Sequence, residues 1–529
     1  IRTAHDALTH YLRKYRSRLS QDNVRYVGQV LQVLKALLRF LTRLKAPSAE
    51  GVARGHHTEA LHASSRASAR PAAGRVAGQR GTREMEDKSI YTINDFVFEA
   101  GIDNVNLIKL DRYLNVSELP RKLLGFLHLD EASGATQGLG SPGDSSEVPG
   151  GGGGQEHASG AAISSSVGST ASPPTPRSHV SPLSTIQRFL GSLTHADADG
   201  RVVLWRDADD DAWHAKFIVL NPAVHFQQVV DEAHAVVLVG GTMQPFEHVI
   251  QNLFPSVPQS RLHTFTCGHV IAPENIRPLA VARGPTNVRF DFRFQSRATP
   301  EQLDELGRLL VNVCTVTPAG VVCFLPSYDY ERKAVDHWTL QGTLRRLKER
   351  KRVFREPRSS ADVDAVLASY SQAIANCENP RPGSAVTGAL LFCVVGAKMS
   401  EGINFSDDLA RCVVMVGLPY PDRSDPELQQ KMAFLDSRPR GASGAAASPA
   451  QSAGSEYYEN LCMRAVNQSI GRAIRHINDY AAILLVDHRY ASRDAVARKL
   501  PGWIAGELRN AASFGAVVAG LSEFFRDKA

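Results

Sequence analysis

Apolar positions recur through residues 1–45 at helical spacing. Val27, Val30, Leu31, Leu34, Leu38, Leu41 and Leu44 form one stripe, and Arg25, Lys35, Arg39, Arg43 and Lys45 decorate the other sides. The spacing predicts a helix. A basic amphipathic helix can lie on a membrane or a nucleic acid, but the commoner arrangement is packing on a neighbour with the charges solvated. A second ordered stretch is expected at Tyr91–Leu127, with a helix starting at Asn94 or Asp95. From residue 183 the pattern changes to short β-branched runs: Lys216–Leu220, Ala235–Val239, Gly320–Phe324, Ala389–Val395, Cys412–Val416 and Ala481–Val486. Such runs suit strands of a parallel sheet buried on both faces. Helical spacing at Pro300–Thr315 and Ala361–Asn376 alternates with them, so the fold class predicted is α/β.

Three stretches fall outside this patterning. Residues 46–90 are Ala/Gly/Ser/Arg-rich, 130–182 hold Gly150–Gly154 and Ser172-Pro-Pro-Thr-Pro176, and 437–455 are polar and small. The first two are expected to be disordered insertions and the third a surface insertion. A net charge of +6 on 529 residues is too mild to indicate a partner. All seven cysteines lie after residue 266 without CxxC spacing, which predicts reduced core thiols and neither a disulfide framework nor a metal site. No apolar run approaches the ~18 residues of a membrane span, so no membrane partner is expected. The chain starts at Ile1 with a polar, basic stretch, and reads as the later portion of a longer open reading frame.

The candidate chemistry sits in loops that follow the predicted strands. Asp231-Glu-Ala-His234 spells a Walker B box, but it precedes a strong strand where a working pair would end one. His225–Val230 before it reads as a helix, and no GxxxxGK[ST] loop lies upstream, so a polar turn or helix end is the expected role. Gly240-Gly-Thr-Met-Gln-Pro245 would end the strand Ala235–Val239 and offer the Thr242 hydroxyl at its carboxyl edge. Pro326-Ser327-Tyr328 follows Gly320–Phe324, bringing a hydroxyl and an aromatic that can hold a phosphate backbone, stack a base or simply pack. Gly396-Ala-Lys-Met-Ser-Glu-Gly-Ile-Asn-Phe405 places Lys398, Glu401 and Gly402 in one permissive turn suited to phosphate or ribose. On a continuous helix, Gln468, Gly471, Arg472 and Arg475 would share one face, two guanidinium forks suited to phosphate oxygens or a plain solvated basic face.

The order of these loops, GGTM, PSYDY, GAKMSEGINF, GLPYP and QSIGRAIR, resembles motifs III to VI of superfamily 2 helicases, in the XPD-like iron–sulfur branch. The wording of the GGTMQP and VVGAKMSEGINFS stretches is most similar to the ChlR-type DEAD/H-box DNA helicases. The resemblance covers about 1–45, 91–127 and 183–529 and implies RecA-like parallel-sheet domains preceded by a mainly helical, Arch-like segment. In that order, 1–190 would be partial Arch, 191–260 the end of the first RecA-like domain and 261–529 the second. It implies an ATP-dependent 5′-to-3′ DNA helicase acting in the nucleus, in genome maintenance and sister-chromatid cohesion. The partners implied are single-stranded and forked duplex DNA, with cohesion or replication-fork proteins. The cofactors implied are ATP and Mg²⁺, with the 4Fe–4S cluster expected only in a preceding part of the protein.

By the same carry-over, Arg472 and Arg475 would stabilise the transferring phosphoryl group, with Gln468 holding them in register. Glu401, Gly402 and Gly471 would line the nucleotide cleft, and Thr242, Ser327, Tyr328 and Lys398 would couple it to DNA. The phosphate loop, true Walker B box and cluster cysteines are expected before residue 1, so the chain is predicted to be inactive alone. The alternative is a non-catalytic scaffold that binds DNA or protein.

Overall fold

The computed structural model describes residues 1–45, 88–136, 181–195, 199–206, 212–240, 243–378, 386–438, 452–472, 474 and 476–528. Most of the three expected insertions lies outside the described residues, but their described edges are partly regular: a strand starts at Ser89, a helix runs on to Thr136 and another starts at Ala453. The chain divides into two compact units, Ile1–Leu220 and Asn221–Ala529.

In the first unit, helices α1 (Arg2–Tyr15), α2 (Gln21–Lys45), α3 (Ile93–Glu99), α4 (Leu107–Ser117), α5 (Leu119–Thr136) and α6 (Pro182–His195) gather around one apolar cluster. Along α2 the fully buried spine is Val27, Val30, Val33, Leu34, Leu37 and Phe40, while Arg25, Lys35, Arg39 and Arg43 are exposed. The basic stripe is therefore the solvated side of a packed helix. Helix α3 begins one residue before the expected start, because the Thr92 hydroxyl caps it by accepting the Asp95 N–H.

A small antiparallel sheet, β1 (Ser89–Thr92), β2 (Gly200–Arg206) and β3 (Trp213–Val219), closes this unit. The run Lys216–Leu220 thus differs from expectation: it forms an antiparallel edge strand rather than a parallel strand buried on both faces. Two polar neighbours, His214 and Lys216, stand across from Trp205 and Val203 and leave one face of the ribbon solvated.

The second unit is built on seven parallel strands in the order β10 (Arg509–Asn510), β4 (Ile276–Val281), β9 (Ala481–Val486), β8 (Cys412–Val416), β5 (Ala319–Leu325), β7 (Gly388–Val394) and β6 (Arg352–Arg355). Alternate residues of every strand but the exposed β10 enter two separate cores. Phe324, Leu391, Met415 and Leu485 face one, with α12 (Val363–Glu378) and α15 (Ala453–Ile470) packed over them. Leu325, Phe392, Val414 and Leu484 face the other, under α9 (Pro300–Val316), α10 (Tyr328–Leu340) and the C-terminal helix Phe514–Arg526. This is the parallel α/β sheet expected of a RecA-like domain. The remaining helices of the unit are α7 (Pro222–Glu232), α8 (Phe246–Leu253), α11 (Thr343–Lys348), α13 (Lys398–Gly402) and α14 (Pro426–Ser437), with four more single turns and short helices near the C-terminus.

The amino edge of the sheet carries a buried cation. Lys351 is fully buried, and its Nζ donates to the carbonyls of Thr317 (2.6 Å), Ala319 (2.9 Å) and Thr387 (3.1 Å) at the starts of β5 and β7. Burial pulls its pKa down to about 8. Three convergent carbonyl oxygens account for a lysine in that position, and that of Thr387 also accepts the Ala319 N–H at 3.1 Å.

One predicted strand does not form. Ala235–Val239 runs as irregular chain with Val237 78% and Val239 89% exposed. Among the described residues it pairs with no strand, and a parallel strand cannot satisfy its backbone without a neighbour.

Candidate nucleotide and nucleic-acid cleft

Three of the loops singled out in the sequence, 326–328, 396–405 and 417–421, follow the carboxyl ends of β5, β7 and β8, the edge where open parallel sheets place ligands, whereas 468–475 follows α15 and precedes β9. After β5, Ser327 is the N-cap of α10, and its hydroxyl accepts the Tyr330 N–H at 3.2 Å. Tyr328 donates its hydroxyl to the Pro357 carbonyl at 3.4 Å, and the Arg358 guanidinium lies 5.5 Å over its ring. Burial raises the Tyr328 pKa, so the group remains a neutral donor.

After β7, Gly396 takes a left-handed φ of +78° that turns the chain into α13. Lys398, the first residue of that helix, is exposed and lines a polar cavity of about 500 Å³ with Ser360, Asp364, Gly396 and Ala397. Glu401 and Gly402 end the same short helix. The residue that holds this turn was missed in the sequence. Glu356 follows β6, is buried, and accepts the N–H groups of Val394 (2.8 Å) and Met399 (2.7 Å) from either side of the turn. Burial raises its carboxyl pKa against the opposing pull of those two bonds. A lone Glu after a four-residue strand carries no pattern that points to this role.

The stretch 468–475 differs from the expected one-sided helix face. Helix α15 ends at Ile470, Gly471 is its C-cap, and Arg472 stands in the following turn. Glycine is a poor helix interior residue, so the chain leaves the helix there and turns back on the Gly396–Phe405 loop. Arg472 Nη1 donates to the Ile403 carbonyl at 3.2 Å, and the Arg472 carbonyl accepts the Phe405 N–H at 3.3 Å. The two loops are thereby tied to each other. Gln468 is half-buried on the last turn of α15. Arg475 and Thr242 lie outside the described residues.

Neighbouring ion pairs brace this junction. Arg411 is buried and donates to Asp408 (2.9 Å), Asp479 (3.0 Å) and the Tyr480 carbonyl (3.1 Å), with its guanidinium 3.9 Å over the Tyr480 ring. His476 Nε2 lies 2.7 Å from Asp407. Asp407, His476 and Asp479 bring three metal-type ligand atoms within 4.8 Å, but Arg411 already neutralises Asp479. At the end of β9, fully buried Asp487 accepts the Phe292 N–H (3.1 Å) and two guanidinium bonds from Arg489 (2.8 Å each). Tyr490 donates to the Gly417 carbonyl at 3.0 Å, and Gly417, at φ +71°, leaves no room for a Cβ beside Phe292. This latch locks the ends of β8 and β9 together.

The Asp231–Glu232 pair ends α7 and is exposed. The Asp231 carboxylate accepts from Gln227 (2.7 Å) and that of Glu232 from Gln228 (2.9 Å). A solvated helix end of this kind is the polar role expected of it. Five of the seven cysteines are buried in the apolar core, and burial pushes Cys314 up to about 12 and Cys323 and Cys393 well above the usual thiol range.

Residues 310–507 match the helicase C-terminal domain family, so the central strands of the sheet, its carboxyl-edge loops and α15 are a helicase C-terminal domain. Along nearly its whole length the chain is strongly homologous to the DDX11/CHL1 helicases. It is 42% identical over 539 residues to the ATP-dependent DNA helicase DDX11 of Danio rerio, covering 99% of this chain and 55% of that protein. Against DDX11 of Mus musculus it is 42% identical, covering 99% of this chain and 54% of that one. The ATP-dependent DNA helicase chl1 of Aspergillus clavatus is 32% identical over 99% of this chain and 62% of its own length. The chain therefore spans a little over half the length of these relatives.

Proposed function

We propose that this chain supplies the motif III–VI side of an ATP-driven DNA helicase, with its ATP cleft where Arg472 meets the 396–405 loop and its DNA path beside it. The finer reading is a 5′-to-3′ helicase of the XPD-like iron–sulfur branch, nuclear, acting on single-stranded and forked DNA in genome maintenance and sister-chromatid cohesion. In this reading residues 261–529 are the second RecA-like domain, 191–260 the end of the first and 1–190 part of the Arch. The observation that carries it is the clasp between Arg472 and the Ile403–Phe405 backbone, in a chain 42% identical to DNA helicases along nearly its whole length. A guanidinium held there can meet a phosphate bidentately and offset charge as it develops on a transferring phosphoryl group. Arg475 would act beside it, Gln468, Glu401, Gly402 and Gly471 would shape the nucleotide side, and Lys398, Ser327, Tyr328 and Thr242 would face DNA.

The donor set fits the phosphates of a nucleotide, for it offers arginine and glycine turns. It does not fit Mg²⁺. The strand-end carboxylates Asp487 and Glu356 are committed to Arg489 and to backbone N–H groups, and Asp231 and Glu232 lie on an exposed helix end. This observation also favours a second reading, a non-catalytic scaffold that binds DNA or protein.

The deciding experiment measures single-strand-stimulated ATP hydrolysis by the 529-residue chain, alone and mixed with a phosphate-loop domain from a relative. Hydrolysis only in the mixture, reduced at least tenfold by Arg472→Ala, is expected. Hydrolysis by the chain alone, or a mixture indifferent to Arg472→Ala, overturns the assignment. A mixture with no hydrolysis that still binds DNA favours the scaffold.

A further inference from the structure

The segment Arg289-Phe-Asp-Phe-Arg-Phe294 crosses the carboxyl ends of β9 and β8 before α9 begins. Its path is pinned by the Phe290 carbonyl, which accepts the His488 N–H at 3.0 Å, and by the Phe292 N–H on Asp487. Phe290 and Phe292 are buried and stacked, with ring centroids 5.5 Å apart. Continued extension would carry Phe294 into the same core. Instead the chain turns, with the N–H groups of Ser296 and Arg297 on the Arg293 carbonyl at 3.0 and 2.9 Å, and Phe294 emerges 82% exposed. The turn is braced by Arg293, whose Nε donates to both oxygens of the Asp291 carboxylate at 2.8 and 3.0 Å.

The exposed ring is not loose. The Arg297 guanidinium lies 5.1 Å from the Phe294 centroid and 5.6 Å from that of buried Tyr330, so one cation bridges the two rings. Tyr330 stands in the first turn of α10, the helix that Ser327 caps, so the stack abuts the Ser327–Tyr328 loop. Arg289, Arg293, Arg332 and Lys333 are all more than half exposed in the same segment and helix, though Asp291 and Asp329 offset part of their charge.

We infer that Phe294 is a base-stacking platform for single-stranded DNA, held out by Arg297, with the surrounding basic side chains following the phosphates. An exposed aromatic ring braced by an arginine is what a nucleobase of any identity can stack on. This rests on the DNA-binding reading above and adds a base contact to the phosphate contacts proposed there.

The test uses fluorescence anisotropy of the 529-residue chain with labelled dT20 and with an abasic oligonucleotide of equal length. Phe294→Ala should weaken binding of dT20 roughly 5- to 150-fold, the effect of losing one base stack, while Phe294→Trp retains it. On the abasic strand wild type and Phe294→Ala should bind alike, whereas Lys398→Ala should weaken both strands equally. The exposure of Phe294 keeps the variants folded, which thermal melting checks. Unchanged dT20 binding by Phe294→Ala, or an equal loss on the abasic strand, overturns this inference alone. Failure of the wild type to bind either strand overturns it together with the DNA-binding reading.

Discussion

Two pentapeptides in this chain are nearly the same: Ala235-Val-Val-Leu-Val239, followed by Gly240-Gly241, and Cys412-Val-Val-Met-Val416, followed by Gly417-Leu418. The second is a strand with every residue buried, paired in parallel with β5 and β9. The first is exposed irregular chain. β-Branched residues suit a strand, but the free energy comes from the neighbours that bury the side chains and complete the ladder. Where those neighbours are not in place among the described residues, the same letters form no strand. The proposed first RecA-like domain is where such neighbours would come from.

Amide hydrogen exchange probes this contrast most directly. Amides of Val413–Met415 should exchange only on global unfolding, and those of Val236–Leu238 near the rate of unstructured chain, a difference on the order of 5 kcal/mol or more. Comparable protection in the two runs would show that 235–239 is paired after all. Among the described residues the latch at the end of β9 has no counterpart after Val239, and Asp487→Ala should cost about 3–5 kcal/mol in denaturant unfolding by leaving the buried Arg489 without its partner. A loss under about 1 kcal/mol would mean that Arg489 finds water there.

Asparagine substitution separates the two runs again. Val414→Asn should destabilise by about 3 kcal/mol, and Val237→Asn by no more than about 0.5 kcal/mol. Equal effects on thermal stability would erase the distinction.

The smallest effect is one of pH, in α8, the helix that follows the unpaired run. His248 stacks on Tyr457 of α15 at 5.2 Å, and burial, with Arg464 and Lys431 adding to it, lowers its pKa from 6.5 to about 4. Between those values the released helix takes up a proton that the packed one refuses. Docking of α8 is therefore at full strength above about pH 6.5 and weakens as pH falls toward 4. Exchange protection of the α8 amides, compared at pH 7 and 4.5, should fall in the wild type and stay flat in His248→Gln. A flat wild-type profile would place His248 in solvent.

Much of the second unit was legible in the amino-acid order. Four of the six apolar runs are strands of the parallel sheet, and Pro300 and Thr299 mark the start of α9 as N1 and N-cap residues should. The loops after β5, β7 and β8 were placed correctly at the carboxyl edge, because strand-then-turn is a local pattern. Less legible were the partners: nothing near Glu356 in the chain announces that it holds the turn at 394–399. The expected face of Gln468, Gly471, Arg472 and Arg475 assumed a continuous helix, and Gly471 ends it.

Local order along the chain thus decided which segments would be helix or strand and which turns carry chemistry, since periodicity and turn residues act over a few positions. Contacts between distant residues decided the rest. Arg472 meets Ile403 across 69 residues, Asp487 meets Phe292 across 195, and among the described residues Ala235–Val239 pairs with no strand. Long-range hydrogen bonds and burial depend on which surfaces the completed sheet brings together, and no short window of sequence contains that information.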